Sequence, residues 1–375
     1  MKENGDKTIL QAARWRLLLS LFSAAVIAAH LLTRGDHALN AWLSEHMVRP
    51  AHKAMCTAAS RIPFSLAEVL VGIFAAGLII YIIAALIGIL RGGRKIRRTV
   101  LMILTLLCVG LTVYAAFCVL WGIYYYGEDF AGQSGLDDSP VAVEDLRAVT
   151  IYFADLCNRY ADQVPRDADG VCAMDREAVL ARSDEVYAEA ERLFPCLEGP
   201  DVRAKGVHFS IVMSYIDFTG FFFPFTAEAN VNTDFPTSLF PSTIAHELAH
   251  QRGVAKEQEA NFCAVLSSLT YGDPEYCYSA AMLAYIHTGN ALYKVDRKAW
   301  NAIYSSLSEP VRKDFAANSD YWDRFETKVR EVYNTVYENF LYSFDQELGL
   351  QSYGACVDLL VHYYIDDARV LLSRR

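Results

Sequence analysis

Three long apolar runs crowd the first third of the chain, at about 17–33, 66–90 and 100–124, and beyond them apolar residues thin to the spacing of ordinary helices. None of the runs contains Lys or Arg, and a bilayer span needs about 20 apolar residues, with about 17 as the lower limit. Each run therefore predicts a transmembrane helix. Basic residues precede the first run as they would a signal peptide, but no small-residue cleavage site follows it and two further spans do, which favours a retained span. After a Gly/Ser/Asp linker at 127–139, the pattern predicts helices over 140–164 and 176–193, with a break from Pro195 to Pro200. From Gly206 the spacing changes: 207–212 reads as a short strand and 220–226 as a second extended piece, which Pro224 confines to a sheet edge or loop. Residues 228–232 (EANVN) read as a polar loop. Helical spacing resumes at about 255–269, 274–290, 297–307, 309–317, 321–347 and 353–372.

Charge sharpens this division. Residues 1–126 carry 13 Lys+Arg against 5 Asp+Glu, a net +8, which leaves 21 against 39, a net −18, for residues 127–375. A basic apolar segment joined to an acidic remainder predicts a membrane domain (1–126) followed by a second domain (127–375), and it argues against a nucleic-acid partner. Lys2, Lys7, Arg14 and Arg16 precede the first run, and Arg91, Arg94, Lys95, Arg97 and Arg98 lie between the second and third. The positive-inside rule puts both groups in the cytoplasm and the second domain outside the cell membrane. The loop 34–63 has amphipathic pieces suited to a membrane surface, and no function is read from it. The nine cysteines show no CxxC spacing; six follow residue 126, where disulfides or buried thiols are both open.

The candidate chemistry is concentrated in Pro241–Gly253, PSTIAHELAHQRG, followed by Glu257-Gln258-Glu259-Ala260-Asn261. On a helix, His246 and His250 share one face and Glu247 stands one position round, the arrangement of a catalytic zinc site. Two imidazoles and a third ligand leave a position for water, whose proton Glu247 can take. Gly253 can end the helix in a left-handed turn, so the third ligand comes from just beyond it. Glu257 is preferred because Asn261, four residues later, can support a ligand; Glu259 is the reserve. Phe225, Glu228, Asn230 and Tyr353 are candidate substrate or oxyanion contacts, and the edge piece at 220–226 either binds an extended peptide or packs as a core hairpin. His208 and His287 are lone histidines, more often structural than catalytic.

The apolar runs, GFFFPFTAEANVN, HELAHQRG and KEQEANF together resemble a bacterial group of membrane proteins, the domain-of-unknown-function family 3810. More broadly, HExxH followed by Glu257 and Asn261 resembles the gluzincins, in particular the CAAX prenyl protease-like membrane enzymes. There the interval before the third ligand is longer, and an aspartate stands at the Asn261 position. Lys256 occupies the place of the third histidine in the metzincin pattern. The resemblance implies Zn²⁺ on His246, His250 and Glu257, Glu247 as general base, and a peptide or protein substrate. The expected fold is mainly α: three transmembrane helices, then an α-rich α+β zincin-like metallopeptidase domain with a small edge-stranded sheet. The expected function is a membrane-anchored zinc metallopeptidase. The alternative is a non-catalytic, metal-containing binding or signalling module of the cell envelope.

Overall fold

The computed structural model describes residues 3–327, 334–336, 339, 342 and 353–374. Its helices, in chain order, are α1 (Glu3–Thr33), α2 (His37–Leu43), α3 (Arg49–Ala59), α4 (Leu66–Arg91), α5 (Lys95–Leu120), α6 (Phe130–Ser134), α7 (Val143–Ala161), α8 (Arg176–Ala181) and α9 (Ala188–Leu193). They continue with α10 (Ser210–Tyr215), α11 (Phe240–Gln251), α12 (Glu257–Tyr271), α13 (Pro274–Val295), α14 (Arg297–Ser306), α15 (Glu309–Asp323) and α16 (Tyr353–Ser373). Strands β1 (Lys205–Val207), β2 (Gly220–Phe223) and β3 (Glu228–Asn232) form one sheet in the order β1-β3-β2. The chain divides into two compact units, Met1–Val48 with Leu66–Gly127, and Arg49–Ser65 with Glu128–Arg375.

The first unit holds the three helices long and apolar enough to cross a membrane, over Ala13–Thr33, Leu66–Arg91 and Lys95–Leu120. On α4 large apolar side chains point outward all round, Ile73 and Ile80 among them, which is the surface of a helix meant for lipid. Helices α1 and α5 are joined by Arg16 Nε donating to Thr105 Oγ1 at 2.7 Å and by the Ser23–Thr112 hydroxyl pair at 3.3 Å. The third helix is shorter at its end than the predicted 100–124: it stops at Leu120, and a 3₁₀ turn covers Gly122–Tyr126.

In the second unit α7, α11, α12, α13 and α16 enclose one core, whose largest fully buried side chains include Phe153, Tyr187, Phe240, Ile244, Leu248 and Phe262. β3 runs parallel to β1 and antiparallel to β2, with Gly220 opposite Val231 and Phe223 opposite Glu228. Side chains alternate across a sheet. Gly220, Phe222, Ala229 and Val231 therefore share one face, and Phe221, Phe223, Glu228, Asn230 and Lys205 the other.

The structure departs from the sequence pattern at several places. EANVN is the central strand, because its polar residues are answered inside the fold: Asn230 Oδ1 accepts from Ser65 Oγ at 2.6 Å, Lys205 Nζ pairs with Glu228, and Asn232 Nδ2 donates to Ser214 Oγ at 2.9 Å. Only the start of 207–212 is strand. Ser210 Oγ donates to Val207 O at 2.6 Å and accepts from Thr233 N at 2.8 Å, and α10 begins there. The helix predicted over 176–193 is broken at Ser183, whose buried hydroxyl donates to Leu180 O at 2.7 Å and takes Ala204 N–H at 3.1 Å, a local bond that competes with helix continuation. The expected helix over 321–347 falls largely outside the described residues. Part of the loop 34–63 belongs to the second unit, in which Lys205 Nζ donates to Ala59 O at 2.8 Å and Phe64 O at 3.1 Å. All nine cysteines are free.

Candidate metal centre

Helix α11 buries Ile244, Ala245, Leu248 and Ala249 as one apolar stripe, which fixes its rotation and leaves His246, Glu247 and His250 on the remaining arc. Its first turn is secured by Ser242 N donating to Ser279 Oγ at 2.9 Å, and its middle by Tyr187 Oη donating to Ala245 O at 2.8 Å. It ends as the sequence predicts. Gly253 has φ 90°, Val254 N donates to Ala249 O at 3.1 Å and Gly253 N to His250 O at 2.9 Å, the paired bonds of a Schellman turn. That turn also delivers Val254 O to His250 Nδ1 at 2.7 Å.

Both imidazoles are thereby oriented. His246 Nδ1 lies 3.0 Å from Asn261 Oδ1, and an amide or carbonyl oxygen only accepts, so each Nδ1 carries its hydrogen and each Nε2 turns inward. The two Nε2 atoms are 3.1 Å apart, and Glu257 Oε2 lies 3.1 Å from that of His246 and 3.7 Å from that of His250. Ligands about 2.0–2.1 Å from a tetrahedral zinc are spaced about 3.3 Å from one another, so the donor set fits such an ion in both chemistry and spacing. Converging acceptors also need a positive charge between them. In the chain by itself a proton supplies it: burial opposes a charge on His250, but the Glu257 carboxylate outweighs burial and raises the imidazole to about 9. Glu257 is half-buried, which works against its charge, yet the His250 and His246 rings hold its carboxyl well below the usual range.

Glu247 is 4% exposed, and its Oε2 has no hydrogen-bond partner among the described residues. Burial pushes its carboxyl up to about 7 against the pull of the two imidazoles. Its side chain lies against β2 at Gly220, where a Cβ would stand 2.5 Å from Oε1. Only glycine leaves that space, a requirement that no spacing motif announces.

The remaining candidates fall elsewhere. Glu259 does not join the imidazoles: Oε2 accepts from Phe130 N at 3.1 Å and Oε1 from Ala131 N at 3.0 Å, and burial with help from Asp129 pushes the carboxyl up to about 7. Glu228 and Asn230 are buried on the sheet face opposite Gly220 and are engaged by Lys205 and Ser65, which corrects their expected place in a cleft. Phe225 is half-buried against Phe223, with ring centroids 5.2 Å apart. Tyr353 opens α16, and its side chain lies outside the described residues. His208 meets the Phe209 ring edge to face, with centroids 5.2 Å apart. His287, on α13, is a different matter: it is 8% exposed, and burial, with a smaller push from the His246 ring, lowers it to about 4. A lone histidine gives no spacing signal, and the influence of His246 on it is purely tertiary.

The protein is mainly helical, with three helices long and apolar enough to cross a membrane, a three-stranded sheet and a His/His/Glu cluster on adjoining helices. The profile of the family described as "Protein of unknown function (DUF3810)" matches residues 44–361, and the chain belongs to that family. No curated protein and no solved structure matches it.

Proposed function

We propose that the protein is a membrane-anchored, zinc-dependent metallopeptidase whose second unit lies on the outer face of the membrane. The observation that carries this reading is the convergence of His246 Nε2, His250 Nε2 and Glu257 Oε2 beside a buried carboxylate, Glu247, with an unanswered oxygen. Zn²⁺ held by those three residues would supply a Lewis acid that polarises a scissile carbonyl and brings the pKa of water to about 7. Asn261 and Val254 O keep the imidazoles turned toward it. Glu247, buried with one oxygen unanswered, takes the proton of the attacking water and returns one to the leaving amine. Edge strand β2 adjoins Glu247 at Gly220, which suits a peptide substrate lying along it in extended form.

The test is elemental analysis of the detergent-solubilised protein beside His246→Ala and Glu247→Gln, followed by a peptide-library assay. About one zinc per chain is expected in wild type and Glu247→Gln and none in His246→Ala, with hydrolysis in wild type alone. Zinc without hydrolysis in the wild type would move the reading to a non-catalytic binding module. Zinc in none of the three would remove the metal site.

A further inference from the structure

Glu257 is the first residue of α12 and has no helical turn before it, so its side chain is only as well placed as the turn that carries it. Contacts on both sides of Glu257 hold that turn. Lys256 is ion-paired with Asp129, and Glu259 accepts the amides of Phe130 and Ala131 at 3.1 and 3.0 Å. Asp129 also caps α6, accepting from Gly132 N at 2.9 Å. Phe130 completes the joint by packing on Phe262, one turn further along α12 than Glu259, with centroids 5.9 Å apart. All these partners lie in residues 129–132, which begin two positions after Gly127, where the first unit ends.

We infer that Lys256 and Glu259 are positioning residues that lock the ligand-bearing turn of α12 to the segment emerging from the last apolar helix. A carboxylate with both oxygens taken by consecutive amides fixes position and rotation together, as a single bond would not. Core packing of Ala260 and Phe262 alone would let the first turn fray, as helix ends do. The clamp holds Glu257 Oε2 at the imidazoles, and Glu259, two residues from the ligand, is kept from competing for the metal by the same bonds. This inference rests on the metal reading proposed above.

The experiment is zinc affinity by chelator competition on the full-length protein in detergent, for wild type, Glu259→Gln, Asp129→Asn and, as a control, Asp314→Asn. It is paired with hydrogen exchange of the chelator-treated proteins. Glu259→Gln cannot accept both amides and should weaken zinc about 10- to 100-fold, the range for residues that orient a ligand. Asp129→Asn, a milder change at a part-exposed site, should weaken it several-fold, to about fivefold. Exchange should quicken at 129–132 and 256–260 in both. Asp314→Asn disturbs the buried carboxylate on α15 that accepts from Cys172 N at 2.7 Å and Arg166 Nη1 at 3.1 Å, and should lower thermal stability with zinc affinity unchanged. Zinc affinity within about twofold of wild type in both clamp variants, or unchanged exchange at those amides, would overturn the clamp while leaving the metal centre in place. If Glu259→Gln fails to fold, Asp129→Asn decides. No zinc in wild type would overturn the metal reading and the clamp with it.

Discussion

Two polar clusters in the second unit are built from different side chains and differ in how they close. Around Asp314, which is fully buried, Cys172 N donates at 2.7 Å, Arg166 Nη1 at 3.1 Å and the Tyr278 hydroxyl also donates, while Arg166 sends further bonds to Ala161 O and Gly170 O. Donors and acceptors cancel, and the cluster ties α15 to α13 and to the turn at 166–172. Around His246 the balance fails. Two inward nitrogens and the Glu257 carboxylate converge, and Glu247 Oε2 goes unanswered. The first cluster satisfies itself with its own donors, whereas the second directs its acceptors at a common centre, which is the geometry behind the proposed metal site.

The comparison can be broken from either side. The largest effect should come from Glu247→Gln, which removes the base and keeps the ligands: peptide hydrolysis should fall about 10³–10⁴-fold with zinc content unchanged. Full activity in that variant would end the proposed mechanism. Asp314→Asn should act in the opposite sense, lowering unfolding free energy by about 3–5 kcal/mol because Arg166 loses its buried partner, with no change in zinc; denaturant titration measures it. Gly220→Ala sharpens the contrast within the site. Its new methyl meets Glu247 Oε1, and kcat should drop about 10²-fold through displacement of the base while zinc stays bound.

The smallest effect is one of pH. His250 holds a proton more tightly folded, at about 9, than its ordinary 6.5. The stability this contributes is fully present below pH 6.5 and is lost as pH rises through 9. Chelator-treated protein should therefore melt about 5 °C lower at pH 9 than at pH 7, and zinc, which replaces that proton, should abolish the difference. A melting temperature that rises over the same window without metal would contradict the placement of His250 against Glu257.

These contrasts also mark what was legible in the amino-acid order. The pairing of His246 with His250, the end of α11 at Gly253 and the support of His246 by Asn261 all follow from helical spacing, and each is found. The choice between Glu257 and Glu259 depends on where the amides of Phe130 and Ala131 arrive, nearly 130 positions away, and no local pattern carries that. EANVN reads as a loop because polar residues at alternate positions normally face water; here Ser65, Lys205 and Ser214 answer them inside the protein. Gly220 and His287 were beyond reach for the same reason, since their meaning lies in the neighbour and not in the spacing.

Helix α3 has a consequence for the order of synthesis. Its buried face, His52, Cys56 and Ala59, is finished early, yet the carbonyl of Arg252 that Arg49 Nη2 binds at 3.1 Å lies 203 residues later. At about 5–20 residues per second, that partner is made roughly 10–40 s afterwards. During this wait the ribosome still has to deliver two apolar helices, the sheet and α11. Until then the face of α3 that carries His52, Cys56 and Ala59 lacks the turn after α11 on which Arg49 closes, so this part of the second unit is completed only once the first candidate metal helix has been made.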